Sequence, residues 1–265
     1  VNDKITEGCG VNDSKQIRLS YLNAYGQNIR EDCYKKIDSI INQCIKDKIM
    51  PGCQLLFGVN GNVVYNKAFG YHTYDSIYPV KLTDIYDIAS VTKVVATTNA
   101  LMQLYDQHKF KTTDKLSEYV PMLKKSNKNN LKINQIMTHQ AGLKSWIPFY
   151  KNTIDANGNP LPGIYSKKQS DEFNIKLTDS LYLTSSYTDT IFNAITKSEL
   201  GAQKYVYSDL GFYLFPLMIK KLSGQTIDQY CDEHIFKPLG MNSTGYQPLE
   251  KFDTARIIPS EYDND

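Results

Sequence analysis

The sequence predicts a mixed α/β (α+β) protein, and three observations carry that expectation. A helical pattern over residues 37–45 leads into two β-rich segments that flank Asn60-Gly61. A second helical pattern, opening at Ser90, carries apolar residues on more than one face. Two more helical patterns, closed by Gly224 and by Pro238 with Gly240, follow towards the C-terminus.

Taken in order, residues 1–30 are polar and aperiodic and read as a linker or tail. From Glu31 the apolar positions Ile37, Ile40, Ile41, Cys44 and Ile45 recur at helical spacing, and Pro51 and Gly52 are expected to end that helix. In "CQLLFGVNGNVVYNKAFGY" the Asn-Gly pair signals a tight hairpin, because both turn positions need positive φ. "SVTKVVATTNALMQLYDQHKF" is apolar nearly all round, which predicts a buried helix whose first residues lie inside the molecule. "LKINQIMTHQAGL" reads as a short helix ending at Gly142. Residues 145–204, aromatic and broken by "DANGNPLPG", read as an irregular cap or lid. "YVYSDLGFYLFPLMIKKLSG" restores order with a strongly apolar helix.

Composition narrows the function classes. Thirty basic residues against 28 acidic give a net charge of +2, too balanced for a nucleic-acid footprint. No apolar run is long enough to span a membrane, and "VNDKITEGCG" lacks the basic and apolar regions of a signal peptide. Five cysteines form no CxxC pair and four histidines form no HxH or HExxH spacing, so neither a metal nor a cofactor is expected. The 20 tyrosines suit amphipathic packing at the edge of a core.

The chemistry-bearing candidates are Ser90 and Lys93. On a helix they share a face, so the lysine amine can reach the serine hydroxyl. Burial would depress the Lys93 pKa and free an amine to take the serine proton. Backbone N–H groups at the helix start would favour the developing oxyanion. The spacing alone is a weak signal. Such a pair usually works with a tyrosine followed two residues later by Asn or Asp. Matches start at Tyr21, Tyr150, Tyr187, Tyr207, Tyr230 and Tyr262, and of these only "YSDLGFYL" sets the tyrosine on a loop directly before a buried apolar helix.

Together, "CQLLFGVNGNVVYNKAFGY", "DIASVTKVVATTNALMQLYD", "INQIMTHQAGL", "YSDLGFYL" and "PLGMNSTGY" resemble, in order and spacing, the serine β-lactamase-related family. That family includes class C β-lactamases, D-alanyl-D-alanine carboxypeptidases and esterases of the same fold. "WIPFY", "IYDIASVTK" and "ARIIPSEYD" are most similar to the serine-hydrolase domain found behind family 3 glycosidases in exported bacterial proteins. The resemblance implies an antiparallel sheet flanked by helices, with a mostly helical subdomain at about 110–220 inside a domain of residues 31–265. It implies an exported, periplasmic or envelope location, with residues 1–30 linking to a glycosidase partner.

Residue by residue, the resemblance makes Ser90 the acylated nucleophile, Lys93 the proton acceptor and Tyr207 the proton relay to the leaving group. Asp209 stands at a substrate-binding position where most family members carry Asn. A carboxylate there should stabilise the lysine ammonium and repel anionic substrates, which points to an ester or amide, including cell-wall peptide. His139 reads as a structural hydrogen-bonding residue. The family's third motif, Lys or His two residues before Gly, has no match at any of the 15 glycines. In relatives it follows the segment resembling "ARIIPSEYD", so the expectation is a truncated chain whose sheet lacks its C-terminal strands. The alternative is a catalytically inactive module that holds cell-wall peptide or sugar beside a glycosidase.

Overall fold

The computed structural model describes residues 20–21, 30–178 and 180–260. These fall into two compact units, one of residues 89–237 and one built from residues 20–88 and 238–260. Both helix and strand are present, so the protein is of the α/β (α+β) class.

In the second unit, helix α1 (Glu31–Lys46) packs on a sheet of order β1-β3-β2. Strands β2 (Gly52–Val59) and β3 (Asn62–Gly70) form the expected hairpin, and Asn60 and Gly61 take φ of 50° and 75°, as a two-residue turn of that hand requires. Val63 and Phe69 bury one face of β3. Within the expected tail, Ser20–Tyr21 forms β1, which pairs parallel to β3; residues 1–19 and 22–29 lie outside the described residues. The chain returns through α7 (Pro248–Lys251), and Ile257 forms a bridge with Ile85.

Helix α1 ends at Lys46, earlier than the Pro51-Gly52 stop expected from sequence. A Schellman closure explains the difference. Ile49 N–H donates to Cys44 O and Lys48 N–H to Ile45 O, both at 3.0 Å, with Lys48 at φ 55°.

The first unit opens on a turn at Ala89–Ser90 and enters a π-helical segment (Lys93–Thr98) that continues as α2 (Asn99–Asp106). Helix α2 packs against α5 (Leu210–Ser223) and α6 (Ile227–Cys231). Ala96, Ala100, Leu101 and Leu104 meet a core that includes Leu214, Phe215 and Met218. The expectation of a helix buried all round is corrected here. Val91 and Val94 are 56% and 64% exposed, and Met102 and Tyr105 are also open. The helix buries one stripe and leaves the opposite one uncovered.

Residues 145–204 are also more regular than expected. They hold strands β4 (Tyr165–Ser166), β5 (Ile175–Thr178) and β6 (Leu181–Leu183) in an antiparallel sheet of order β4-β6-β5, followed by α4 (Tyr187–Lys197). Between α2 and this sheet lies α3 (Ile133–Met137), whose Ile133 and Ile136 are fully buried.

Candidate active site

The candidate site lies wholly within residues 89–237. Ala89 stands at φ 42°, a conformation L-residues rarely adopt, and delivers the chain into the turn that carries Ser90. Thr92 N–H bonds Ala89 O and Lys93 N–H bonds Ser90 O, at 3.1 and 3.0 Å. The π-helical turn follows at once, and π segments are widened turns that recur at functional sites. Two polar side chains satisfy its displaced carbonyls. Thr98 Oγ1 donates to Lys93 O at 2.8 Å, and Asn99 Nδ2 donates to Val94 O and Val95 O.

Within this frame Lys93 Nζ donates to Ser90 Oγ at 2.8 Å. The same nitrogen lies 2.7 Å from Asp209 Oδ1. It also sits 5.3 Å from the ring centre of Tyr207 and 5.7 Å from that of Phe212, both within cation–π range. Ser90 is exposed rather than interior, so the expected burial of the helix start is corrected. The Lys93 side chain is 16% exposed.

The charge on Lys93 follows from competing effects. Burial, the largest of them, disfavours the ammonium. Hydrogen bonding and charge from Asp209, with similar help from Tyr207, together outweigh it and hold the Lys93 pKa above its ordinary value. The depressed amine expected from burial alone is therefore corrected, and the opposing effect of Asp209 prevails. In the resting protein Lys93 is an ammonium that donates to Ser90.

Tyr207 and Asp209 come from the loop that starts α5. Asp209 is the N-cap residue of that helix, and Phe212 N–H bonds its backbone carbonyl at 2.9 Å. Its carboxylate does not cap the helix; it reaches Lys93 instead. Asp209 N–H is tied to Ser145 O at 2.8 Å. The buried Ser208 supplies the missing cap, accepting from Leu210 N–H at 3.2 Å while donating to Lys144 O at 2.5 Å. His139 closes the set. Its Nδ1 accepts from Ser208 N–H at 3.1 Å, and its ring lies 4.5 Å from that of Tyr207. Sequence reasoning assigned no role to Ser208, Ala89 or the Thr98–Asn99 pair. Nothing in spacing or composition marks a serine that caps across a loop or a residue held at positive φ.

Among the described residues no cluster of His, Cys, Asp and Glu could hold a metal ion. No helix there is long and apolar enough to cross a membrane.

Solved structures of similar fold include a penicillin-binding protein homologue and class C β-lactamases. An octameric penicillin-binding protein homologue from Pyrococcus abyssi superposes with a TM-score of 0.62 at 23% identity, covering 85% of this chain and 47% of that one. The chain belongs to the Beta-lactamase family, whose profile matches residues 37–258. An N-acetylmuramyl-L-alanine amidase of Bacillus subtilis is 29% identical over 89% of this chain and 51% of its own length. A candidate D-alanyl-D-alanine carboxypeptidase of Escherichia coli K12 is 28% identical over 96% of this chain and 56% of its own. The chain thus spans about half the length of the curated relatives it matches.

Proposed function

We propose that this chain carries the nucleophilic centre of a serine hydrolase that cleaves an ester or amide through a Ser90 acyl-enzyme. One observation carries the reading: Lys93 Nζ touches both Ser90 Oγ, at 2.8 Å, and Asp209 Oδ1, at 2.7 Å. Once Lys93 has released its proton, its free amine accepts the Ser90 hydroxyl proton and Oγ attacks the substrate carbonyl carbon. The tetrahedral intermediate collapses, and the leaving alcohol or amine takes its proton through Tyr207. Water then attacks the ester on Ser90 and restores the serine. Asp209 sets the pH at which this cycle runs, because it holds the proton on Lys93 that must leave first.

The carboxylate of Asp209 also shapes the substrate class. A fixed negative charge beside the nucleophile disfavours an anionic group at that point of the substrate. Cell-wall peptide is the proposed substrate, supported by relatives named for amidase and carboxypeptidase activity. The proposed setting is the cell envelope, with a glycosidase domain as partner in the longer protein and residues 31–265 as the hydrolase domain. The partner is supported by sequence likeness alone.

A second reading has its own supporting observation. A lysine held as the ammonium cannot act as a base, so the site would bind cell-wall peptide or sugar without turning it over. Intact mass after exposure to a fluorophosphonate separates the two. The active reading expects one adduct, from Oγ–P bond formation with loss of fluoride, and no adduct on Ser90→Ala. A wild-type protein that stays unlabelled at every pH up to the upper end of the lysine range, where the free amine forms, sinks the active reading.

A further inference from the structure

His139 is the residue on which the Tyr207 loop closes. It stands just beyond α3 at φ 58°, in the left-handed position of a Schellman motif: Gln140 N–H donates to Gln135 O at 2.7 Å and His139 N–H to Ile136 O at 3.1 Å. Glycine is the ordinary residue there, and asparagine the usual substitute. A histidine at such a place gives up backbone ease, and its ring shows what is gained. Val206 N–H donates to His139 O at 2.9 Å, and Ser208 N–H donates to His139 Nδ1 at 3.1 Å. The residues on both sides of Tyr207 are thus bonded to one histidine. The ring itself lies against Tyr207 at 4.5 Å, Phe212 at 5.6 Å and Tyr205 at 6.2 Å.

We propose that His139 is a positioning residue for Tyr207 and Asp209, gripping the residues on either side of Tyr207 with its backbone carbonyl and its unprotonated Nδ1. The proposal rests on reading Ser90, Lys93 and Tyr207 as the reacting groups. Because Nδ1 accepts the Ser208 amide proton, the proton of the neutral ring is on Nε2, and protonating Nδ1 removes the grip. The net effect of the ring's surroundings favours the neutral form. Burial is the largest influence and Lys93 the next, and both lower the His139 pKa; the Asp209 carboxylate opposes them without prevailing. Tyr205 and Tyr207 complete the titratable surroundings. One lysine therefore touches both ends of the site, since its ammonium adds to burial in favouring the neutral histidine.

The test compares His139→Gly, which relaxes the backbone and removes the ring, with His139→Asn, whose Oδ1 can replace Nδ1 and which tolerates the same φ. Fluorophosphonate labelling of Ser90 and hydrogen exchange of the Ser208 amide are measured on both and on wild type. Asn is expected to label within about threefold of wild type with a protected amide. Gly is expected to stay folded, to label about tenfold to a hundredfold more slowly, as small misplacements of reacting groups cause, and to exchange faster at Ser208. A folded Gly variant with wild-type labelling and a protected amide overturns the proposal, as does an Asn variant no better than Gly. If wild type itself takes no label, the hydrolase reading fails, and the exchange data alone decide whether His139 holds the loop.

Discussion

Asp209 Oδ1 lies 2.7 Å from Lys93 Nζ, closer than the 2.8 Å that separates the same nitrogen from Ser90 Oγ. One ammonium thus faces the carboxylate and the serine at the same time, and the charge of the carboxylate holds the proton on it. On the proposed reading of Ser90 as nucleophile, this relationship sets the pH at which it acts.

Replacing Asp209 by Asn should shift the labelling of Ser90 to lower pH. The carboxylate raises the Lys93 pKa, so removing it leaves burial less opposed and lets the amine lose its proton at lower pH. In wild type, labelling should climb with pH and keep climbing past the ordinary lysine range. In Asp209→Asn the climb should begin earlier, giving roughly tenfold faster labelling near pH 8. Slower labelling at every pH would mean that the carboxylate assists the chemistry directly.

Lys128 offers a pH prediction away from the site. It is fully buried, and its Nζ donates to Asn127 Oδ1, Thr196 O and Ser198 O, the last two at the C-terminal end of α4. Burial, with a smaller push from Lys144, lowers its pKa to about 8 from 10.5. Between those values the unfolded chain binds a proton that the folded protein does not, so stability from this group rises with pH across that window. Below about 8 both states are protonated and the dependence vanishes. Denaturation of wild type against Lys128→Met should show wild type gaining on the order of 2 kcal/mol relative to the variant from pH 7.5 to 10. A constant difference would show that the ammonium persists when buried.

What the sequence made legible follows the strength of its local constraints. Asn60-Gly61 announced its hairpin because few residue pairs accept positive φ twice in succession. The ends of α1, α2 and α3 were hidden because each closes on a residue that does not advertise the left-handed conformation: Lys48 at φ 55°, His108 at 56° and His139 at 58°. Strands β4 to β6 run only two to four residues, too short for an alternating pattern to stand out. At the site, Ser90 and Lys93 stood three apart on a periodic segment, and the apolar run after "YSD" drew attention to Tyr207 and Asp209. Ala89 at φ 42° and the π-helical turn at Lys93–Thr98 left no trace in composition or period. The exposure of Val91 and Val94 contradicts hydropathy outright, since tertiary packing decides which apolar stripe is covered.

Asp84 should matter for the stability of the other unit. Its carboxylate accepts from Lys81 N–H at 2.6 Å and lies 2.8 Å from His72 Nε2, with its side chain 2% exposed. Gln54 on β2 donates to the carbonyls of Lys81 and Asp84, tying the same turn to the sheet. Asp84→Ala strips the acceptor from a backbone amide and an imidazole together, at a cost of about 2–4 kcal/mol in urea denaturation. A loss below about 0.5 kcal/mol would show that solvent replaces the carboxylate.

The packing beneath the Tyr207 loop leads to the last prediction. Gly211 is in the first turn of α5, two residues after Asp209, and a Cβ added there would meet Ile136 Cγ2 at 2.1 Å. Cγ2 is bonded directly to the β-carbon of an isoleucine that is itself 2% exposed, so it cannot swing aside. Gly211→Ala must push α5 away from α3, and overpacking of this kind costs about 1–3 kcal/mol. The displacement also acts on the site. Asp209 stands at the N-cap position of the same turn, and His139 lies just beyond α3, so both supports of Tyr207 move apart together. Labelling of Ser90 should fall along with stability. Adding Ile136→Ala removes the blocking methyl, so the double variant should be more stable than the sum of the single losses predicts, and labelling should partly return. Strictly additive losses would mean that the helix accommodates the methyl elsewhere, and the spacing of α3 and α5 would then not set the geometry at Lys93.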